Sequence, residues 1–452
     1  MKLKFGGAAQ TVTGSKYLLE LRSGKRILID CGLFQGLKEH RLKNRDPFFV
    51  PPSSIDSVIL THAHLDHSGY IPALVRDGFK GAIHCTKSTQ DVSEIILQDS
   101  GFLQEEEARF ANKRGFSKHH PAEPLYTVDD AIRSLESFKS HPFGENIEVA
   151  DGVTVRFQRA GHILGASSVL IEAEGKKVLF SGDLGRNDDP ILNDPEPPPE
   201  SDAMIIESTY GDRVHSKESV IDRFCEIIKS TIAKNGVVLI PAFAVGRAQL
   251  LLYYVFELKR TGRIPDIPVF LNSPMAINMT ELLCGNRVDH KLPPDICSQV
   301  CGIAKYVRTV EESKELNLKS GPMIIISASG MITGGRILHH IVAFGPKAST
   351  TIVLPGYQAE GTRGRTLLRG ARTLRMFGED IEIKATVESL DGLSAHADSD
   401  GLVQWVKSAA SPPKKIFITH GEPDSADALK KRIEADLKIS CVVPQMLEEI
   451  EL

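Results

Sequence analysis

The sequence contains no apolar run approaching the ~18 residues that a membrane-spanning helix requires, and residues 1–14 lack the short apolar core and cleavage site of a secretory leader. A soluble, cytoplasmic protein with no membrane partner is expected. A basic charge balance is also missing: the formal net charge is -4. No global field advertises a nucleic acid, and any site for a polyanion must be local. Cysteine is sparse, with seven residues scattered from Cys31 to Cys441. That pattern excludes a disulfide scaffold and fits a reducing compartment. Cys297 and Cys301 form a lone C-x3-C, which without a second pair reads as structural. There is no repeat of fixed period, and the one biased tract, the Pro-rich acidic segment 187–201, reads as a linker.

What is present is an ordinary globular composition over 452 residues, 41% hydrophobic and 25% charged, long enough for two domains. One stretch organises it: Thr61-His62-Ala63-His64-Leu65-Asp66-His67-Ser68-Gly69. It follows the apolar run 57–60, which reads as a buried strand. Residues two apart in an extended segment face the same way, so His62 and His64 can share one ion. Asp66 and His67 sit where a loop enters a helix and point to a second position. Imidazole and carboxylate without thiolate suit zinc or a neighbouring first-row divalent ion.

Around this motif, residues 2–5, 16–21, 26–29, 82–84, 153–157, 168–171, 177–180 and 203–206 read as strands, with helical patterns at 88–113 and 128–138. The adjacent His119 and His120 read as loop residues. Asp30 ends a strand before a Gly turn, where bracing a ligand loop and simple turn capping remain equally open. His162, Asp183 and Glu207 also stand at strand ends or between strands. From about 209 the pattern changes to helices (217–233, 247–259, 275–284) alternating with apolar runs (236–240, 269–271, 323–326, 351–354), the signature of a parallel α/β sheet. Ligand-like punctuation returns with His396, opening a helix that runs to 408, and with His420, directly after a strand at 415–418 and before a helix at 425–436.

The H-x-H-x-D-H spacing resembles the metallo-β-lactamase superfamily. With Asp30, His162, Asp183, Glu207, His396 and His420 added, the chain resembles its nucleic-acid-processing β-CASP branch, as in the cleavage and polyadenylation endonuclease and the ribonuclease J group, here expected without KH domains. The resemblance implies an α/β fold, a metallo-β-lactamase αββα sandwich (residues 1–208 and 381–452) with an inserted β-CASP parallel α/β domain (209–380). It further implies two Zn2+ per chain, with Mn2+ as a substitute, one held by His62, His64 and His162, the other by Asp66, His67 and His420, with Asp183 bridging. Asp30 would support the ligand loop, and Glu207 and His396 would join Asp66 as catalytic residues. The His matching His420 implies an RNA substrate.

The expected activity is hydrolysis of single-stranded RNA by a hydroxide activated between two metals, leaving 5′-phosphate and 3′-hydroxyl ends, as an endonuclease with 5′ exonuclease action left open. A small-molecule metallohydrolase and a non-catalytic subunit of an RNA-processing complex are the competing readings. The oligomeric state is not legible. For RNA contacts, the turn from Ser327 to Arg336, including Ser329, Gly330 and Gly335, could cradle a phosphate or be a plain strand-to-helix turn. Arg363, Arg365, Arg369, Arg372 and Arg375 make a locally basic run beside Gly361 and Gly364, which is either a solvated face or a phosphate track. Arg247 belongs with these candidates. Phe243 could stack on a base, with core packing the more ordinary fate.

Overall fold

The computed structural model describes residues 1–115, 121–216 and 218–452; His119 and His120 lie outside the described residues. Two units are distinct: Met1–Val214 with His396–Leu452, and His215–Ala395.

In the first unit, short runs of alternating side chains build two seven-stranded sheets. One sheet begins as an antiparallel meander of Lys2–Phe5, Tyr17–Glu20 and Arg26–Ile29. It continues in parallel through Ser57–Ile59, Ala82–Thr86 and Phe138–His141, and Glu449–Glu451 closes its other edge. The second sheet runs antiparallel through Ile147–Ala150, Val153–Arg159, Ser167–Ala173 and Lys176–Phe180. It then runs parallel through Ala203–Glu207, Lys415–Thr419 and Cys441–Val442.

The period of two decides the layering. Ile27, Ile29 and Ile59 point between the sheets onto Phe157, Val169, Phe180, Ile205 and Phe417. Leu28, Val58 and Leu60 point the other way, onto Ile71, Leu74, Leu97 and Ala131 of the helices Ile71–Arg76, Lys87–Arg114 and Val128–Leu135. On the second sheet, helix Pro423–Leu437 packs against Lys415–Thr419 and against helix Ser399–Lys407. The result is the expected αββα sandwich.

The second unit holds a six-stranded, wholly parallel sheet of Lys305–Tyr306, Val269–Leu271, Met323–Ser327, Val237–Pro241, Thr351–Pro355 and Thr386–Leu390, in that spatial order. Its inner strands are buried along their whole length, which is why they read as continuous apolar runs. A hairpin, Thr373–Met376 with Glu379–Glu382, stands apart from it.

Several expectations change. The helix expected over 128–138 stops at Leu135, and Phe138–His141 is a strand; Thr127 and Asp130 start the helix with a reciprocal capping box. The segment 187–201 is no linker between units but a strap lying within the first. Its Ile191 and Leu192 are buried, the Trp405 indole N–H donates to the Glu196 carbonyl (2.8 Å), and Ala410 N–H donates to the Pro198 carbonyl (3.3 Å). Cys284 and Cys301 are joined in a disulfide, which their scattered spacing did not suggest. Among the described residues no helix is long and apolar enough to cross a membrane.

Phe344, fully buried in the second unit's core, is expected to cost about 3–5 kcal/mol on truncation to Ala, the transfer loss plus the cavity left behind. Chemical denaturation reads this as an earlier transition, and a shift worth less than about 1 kcal/mol would contradict the packing described.

Candidate metal centre

The carboxyl ends of the central strands converge on one place, where the chain must leave each strand in a tight turn. Asp30 follows Arg26–Ile29, His62 follows Ser57–Ile59, Asp183 follows Lys176–Phe180, Glu207 ends Ala203–Glu207 and His420 follows Lys415–Thr419. Asp30 and His420 turn with φ of 58° and 48°, a left-handed backbone that costs a non-glycine residue of order 1–3 kcal/mol and that clusters at functional sites.

The ligand loop is held rigidly by its own backbone. His64 precedes a short helix, Leu65–Ser68, that carries Asp66 and His67, so these two residues are helical rather than in the entering loop. Leu33, Cys31 and Ser15 donate backbone N–H groups to the carbonyls of Leu65, His67 and Asp66 at 2.7–2.8 Å. Gly32 is required there, because a Cβ would lie 1.6 Å from the Asp66 carbonyl oxygen. Beneath it the buried Lys16 ammonium donates to the Gly32 carbonyl at 2.5 Å. Asp30 accepts from Thr61 N–H (2.8 Å), Thr61 Oγ1 (2.9 Å) and His67 Nδ1 (2.7 Å). Of the two readings left open for Asp30, the brace is the one the contacts support.

The histidines and carboxylates fall into two sets. The ligand atoms of His62, His64, His162 and Asp183 all lie within 4.8 Å of one another, and so do those of Asp66, His67 and His420. His64 Nδ1 and His162 Nε2 are 3.1 Å apart, as are His67 Nε2 and His420 Nε2. Asp183 faces both sets with different oxygens. Its Oδ2 lies 3.5 Å from His62 Nε2 and 3.6 Å from His162 Nε2, while its Oδ1 lies 3.2 Å from His67 Nε2 and 3.5 Å from His420 Nδ1. Glu207 and His396 stand beside it: His396 Nδ1 is 3.1 Å from Glu207 Oε2 and 3.9 Å from Asp183 Oδ2, and Glu207 Oε1 accepts from Leu184 N–H at 2.5 Å.

The electrostatics show groups waiting for positive charge. Burial and the neighbouring His67 push His62 well below the usual imidazole range. Burial also opposes charge on His67, yet Asp183 and Asp30 outweigh it and raise His67 well above that range. Burial favours neutral carboxyls, but the surrounding histidines hold Asp183 well below its usual range and Asp66 at about 2. For His396 burial is outweighed by Glu207, and its pKa rises to about 9. The buried His62 Nε2 has no hydrogen-bond partner, and such an orphan is costly unless something else satisfies it. Facing imidazole nitrogens around a shared carboxylate, with this atom unsatisfied, fit divalent metal ions.

Matches to known families agree. Residues 11–223 match the metallo-β-lactamase superfamily, 248–367 the β-CASP domain, and 380–444 the Zn-dependent metallo-hydrolase RNA specificity domain. Ribonuclease TTHA0252 of Thermus thermophilus is 35% identical over 94% of both chains. The chain belongs to the β-CASP ribonuclease family. Membership makes it a metal-dependent hydrolase. Further relatives are the RNase J-like protein of Methanocaldococcus jannaschii (31% identical, 98% of this chain and 97% of the relative) and the transcription termination factor FttA of Methanosarcina mazei (31%, 99% and 71%). A protein of unknown function from Enterococcus faecalis, 13% identical over 100% of this chain and 99% of its own with a TM-score of 0.58, shares the fold.

The residues considered for RNA contact all lie in the second unit, and most of their polar groups are already engaged. Ser329 Oγ accepts from the N–H groups of Thr333 and Gly334, so two donors of the turn are taken. Gly335 packs closely, its Cβ position 2.6 Å from the Ala328 carbonyl oxygen. Arg336 donates to Asn272 Oδ1 and to the carbonyls of Val307 and Arg308. Arg247 donates to the Pro355 carbonyl and Arg363 to those of Arg375 and Ile332. Arg365 and Arg369 share Glu360, and Arg375 pairs with Asp380. Phe243, for which core packing was the ordinary expectation, is 43% exposed instead. It lies over Gly330, where a Cβ would meet its ring at 2.9 Å.

Sequence reasoning missed the hydroxyl groups behind the histidines. Thr209 Oγ1 lies 3.2 Å from His420 Nδ1, and Ser15 Oγ lies 3.4 Å from His67 Nε2. Each pair is separated by tens to hundreds of residues, so no local signal marks it.

Replacing Asp30 by Ala leaves Thr61 N–H and His67 Nδ1 without their acceptor inside the protein. Metal affinity is expected to fall about 10–100-fold, measured by competition with a chromogenic chelator. Unchanged affinity would show that Asp30 does not orient the ligand loop.

Proposed function

We propose that the protein is a ribonuclease that hydrolyses phosphodiester bonds of single-stranded RNA around Asp183, using two Zn2+ per chain with Mn2+ able to substitute. The observation that carries this reading is that the two oxygens of one buried carboxylate each face a different set of histidines. His62, His64 and His162 would hold one ion, and Asp66, His67 and His420 the other, with Asp183 common to both. Bound there, the ions supply Lewis-acid charge, activating water near neutral pH and stabilising charge on phosphoryl oxygens.

The remaining work falls to the chain's own groups. Asp183 and Asp66 compensate positive charge in a buried site. Asp30, through His67 and Thr61, keeps the ligand loop in place. Glu207 accepts from His396 Nδ1 and fixes the ring, so Nε2 is assigned to deliver a proton to the departing 3′-oxygen. The products are a 3′-hydroxyl and a 5′-phosphate. RNA as the polymer is supported by the RNA specificity domain match and by the relatives named as ribonucleases. Along the RNA, the exposed ring of Phe243 would stack on a base, and Arg247, Arg336, Arg363 and Arg365, with the turn of Ser329, Gly330 and Gly335, would shape the surface around it.

The purified protein is expected to cleave a 5′-monophosphate single-stranded RNA in preference to the same DNA, with a label at each end separating internal cuts from 5′ trimming. Chelation should abolish cleavage and added Zn2+ restore it. His396→Ala should lower kcat about 10²–10⁴-fold with metal content unchanged; a loss under tenfold would remove its role as the acid. No cleavage from protein carrying both ions would move the function to another substrate.

Phe243→Ala should weaken RNA binding by about 1–3 kcal/mol in a fluorescence-anisotropy titration, with the fold intact by circular dichroism. Equal affinities would leave the ring without a part in binding.

A further inference from the structure

Away from the residues around Asp183, one other cluster among the described residues has metal-ligand chemistry, and it is built from sulfur. Helix Pro274–Gly285 carries Cys284 in its last turn, and helix Pro294–Gly302 carries Cys297 and Cys301. Four residues apart on one helix, those two project from the same face. The two helices pack together, which brings the three sulfur atoms within 4.8 Å of one another. The connection between the helices contributes the buried His290, whose Nε2 lies 3.6 Å from Cys297 Sγ.

Two of the spacings, both made by Cys297, match a tetrahedral ion. Zinc bonds of about 2.3 Å to sulfur and 2.0–2.1 Å to nitrogen put two sulfur ligands about 3.8 Å apart, and a sulfur and a nitrogen about 3.6 Å apart. Cys284 Sγ and Cys297 Sγ are separated by 3.6 Å, and Cys297 Sγ and His290 Nε2 also by 3.6 Å. The disulfide between Cys284 and Cys301 spans a Cα–Cα distance of 6.9 Å, just beyond the usual ~4.4–6.8 Å of bridged pairs. Two thiolates on a common ion need no closer approach.

We propose that Cys284, Cys297 and Cys301, with His290 as the fourth donor, bind one structural Zn2+ within the inserted unit. Three thiolates select zinc over the hard divalent ions that carboxylate and water sites admit. Ligation by Nε2 places the ring proton of His290 on Nδ1 and gives up the 3.2 Å bond that Nδ1 accepts from Leu292 N–H. The disulfide is the oxidised, metal-free form of the same cluster. A dithiol reductant supplies two electrons and two protons to the S–S bond and becomes a cyclic disulfide; the three resulting thiols each release a proton as Zn2+ binds. The ion would tie the ends of two helices across 286–293, whose only regular element is the short turn Arg287–Asp289.

The test uses the full chain, reduced with a dithiol, and Co2+ alone as probe. Thiolate-to-cobalt charge-transfer absorption at one equivalent per chain, bleached by one equivalent of Zn2+, is expected. The residues around Asp183 offer only nitrogen and oxygen and give no such band. Cys297→Ser should lose the band and one zinc equivalent per chain while RNA cleavage persists, and His290→Ala should keep the band but bind Co2+ more weakly. No thiolate band in the reduced, unmutated protein, with all three thiols open to alkylation in the presence of Zn2+, would overturn the site whether or not the variants fold.

Discussion

The constraint on which the first unit depends is the burial of Asp183 among imidazoles. Burying His62, His67, His162, His420 and Asp183 together would be unfavourable in an apolar interior without compensating partners. Their mutual shifts show the coupling: Asp183 and Asp30 raise His67 above the usual imidazole range, and the surrounding histidines hold Asp183 below the usual carboxylate range. A cation resolves this, so the arrangement carries its own demand for metal. Metal binding and the local fold would then be one equilibrium, because the candidate donors come from both sheets.

Completion of the centre is a long-range event. His67 and His420 approach to 3.1 Å across 353 residues of sequence, and the strand that carries His420 enters the second sheet beside Ala203–Glu207. The same return brings Glu449–Glu451 to the edge of Lys2–Phe5. His396 arrives on that segment too. Everything between Val214 and His396 must therefore be synthesised before His396 and His420 can join the cluster around Asp183. Non-local pairing of this kind is slow to form, whereas the inserted unit has a sheet made wholly from its own residues and can form without waiting for the return.

What could be read from the sequence followed from range. His62, His64, Asp66 and His67 lie within six residues of one another, and the strand before them is fully buried, so geometry and ligand type are both local. His162 and Asp183 gain weight only behind the H-x-H-x-D-H motif, and their roles and that of His420 come with the resemblance, because a Gly-His or Gly-Asp at a strand end has no distinguishing chemistry by itself. Thr386–Leu390 escaped notice because a strand of partly buried, mixed residues lacks either periodic signature. The helices Pro294–Gly302 and Val310–Leu318 are short and weakly amphipathic. The Pro-rich strap at 187–201 has linker composition but is held by Trp405 and two buried apolar side chains, contacts that composition cannot report.

The basic run shows the same limit in charge. Read linearly, five arginines between Arg363 and Arg375 suggest a phosphate track in an otherwise acidic chain. In the fold, Glu360 and Asp380 pair with three of them at the surface, and Arg363 and Arg372 donate to backbone carbonyls. An RNA phosphate meeting Arg365 or Arg369 would have to displace Glu360, exchanging one anion for another and releasing few counterions. The salt dependence expected there is shallower than that of a bare cationic track. Stacking at an exposed ring such as Phe243 would act at short range and depend on an unpaired strand rather than on a field that gathers any polyanion.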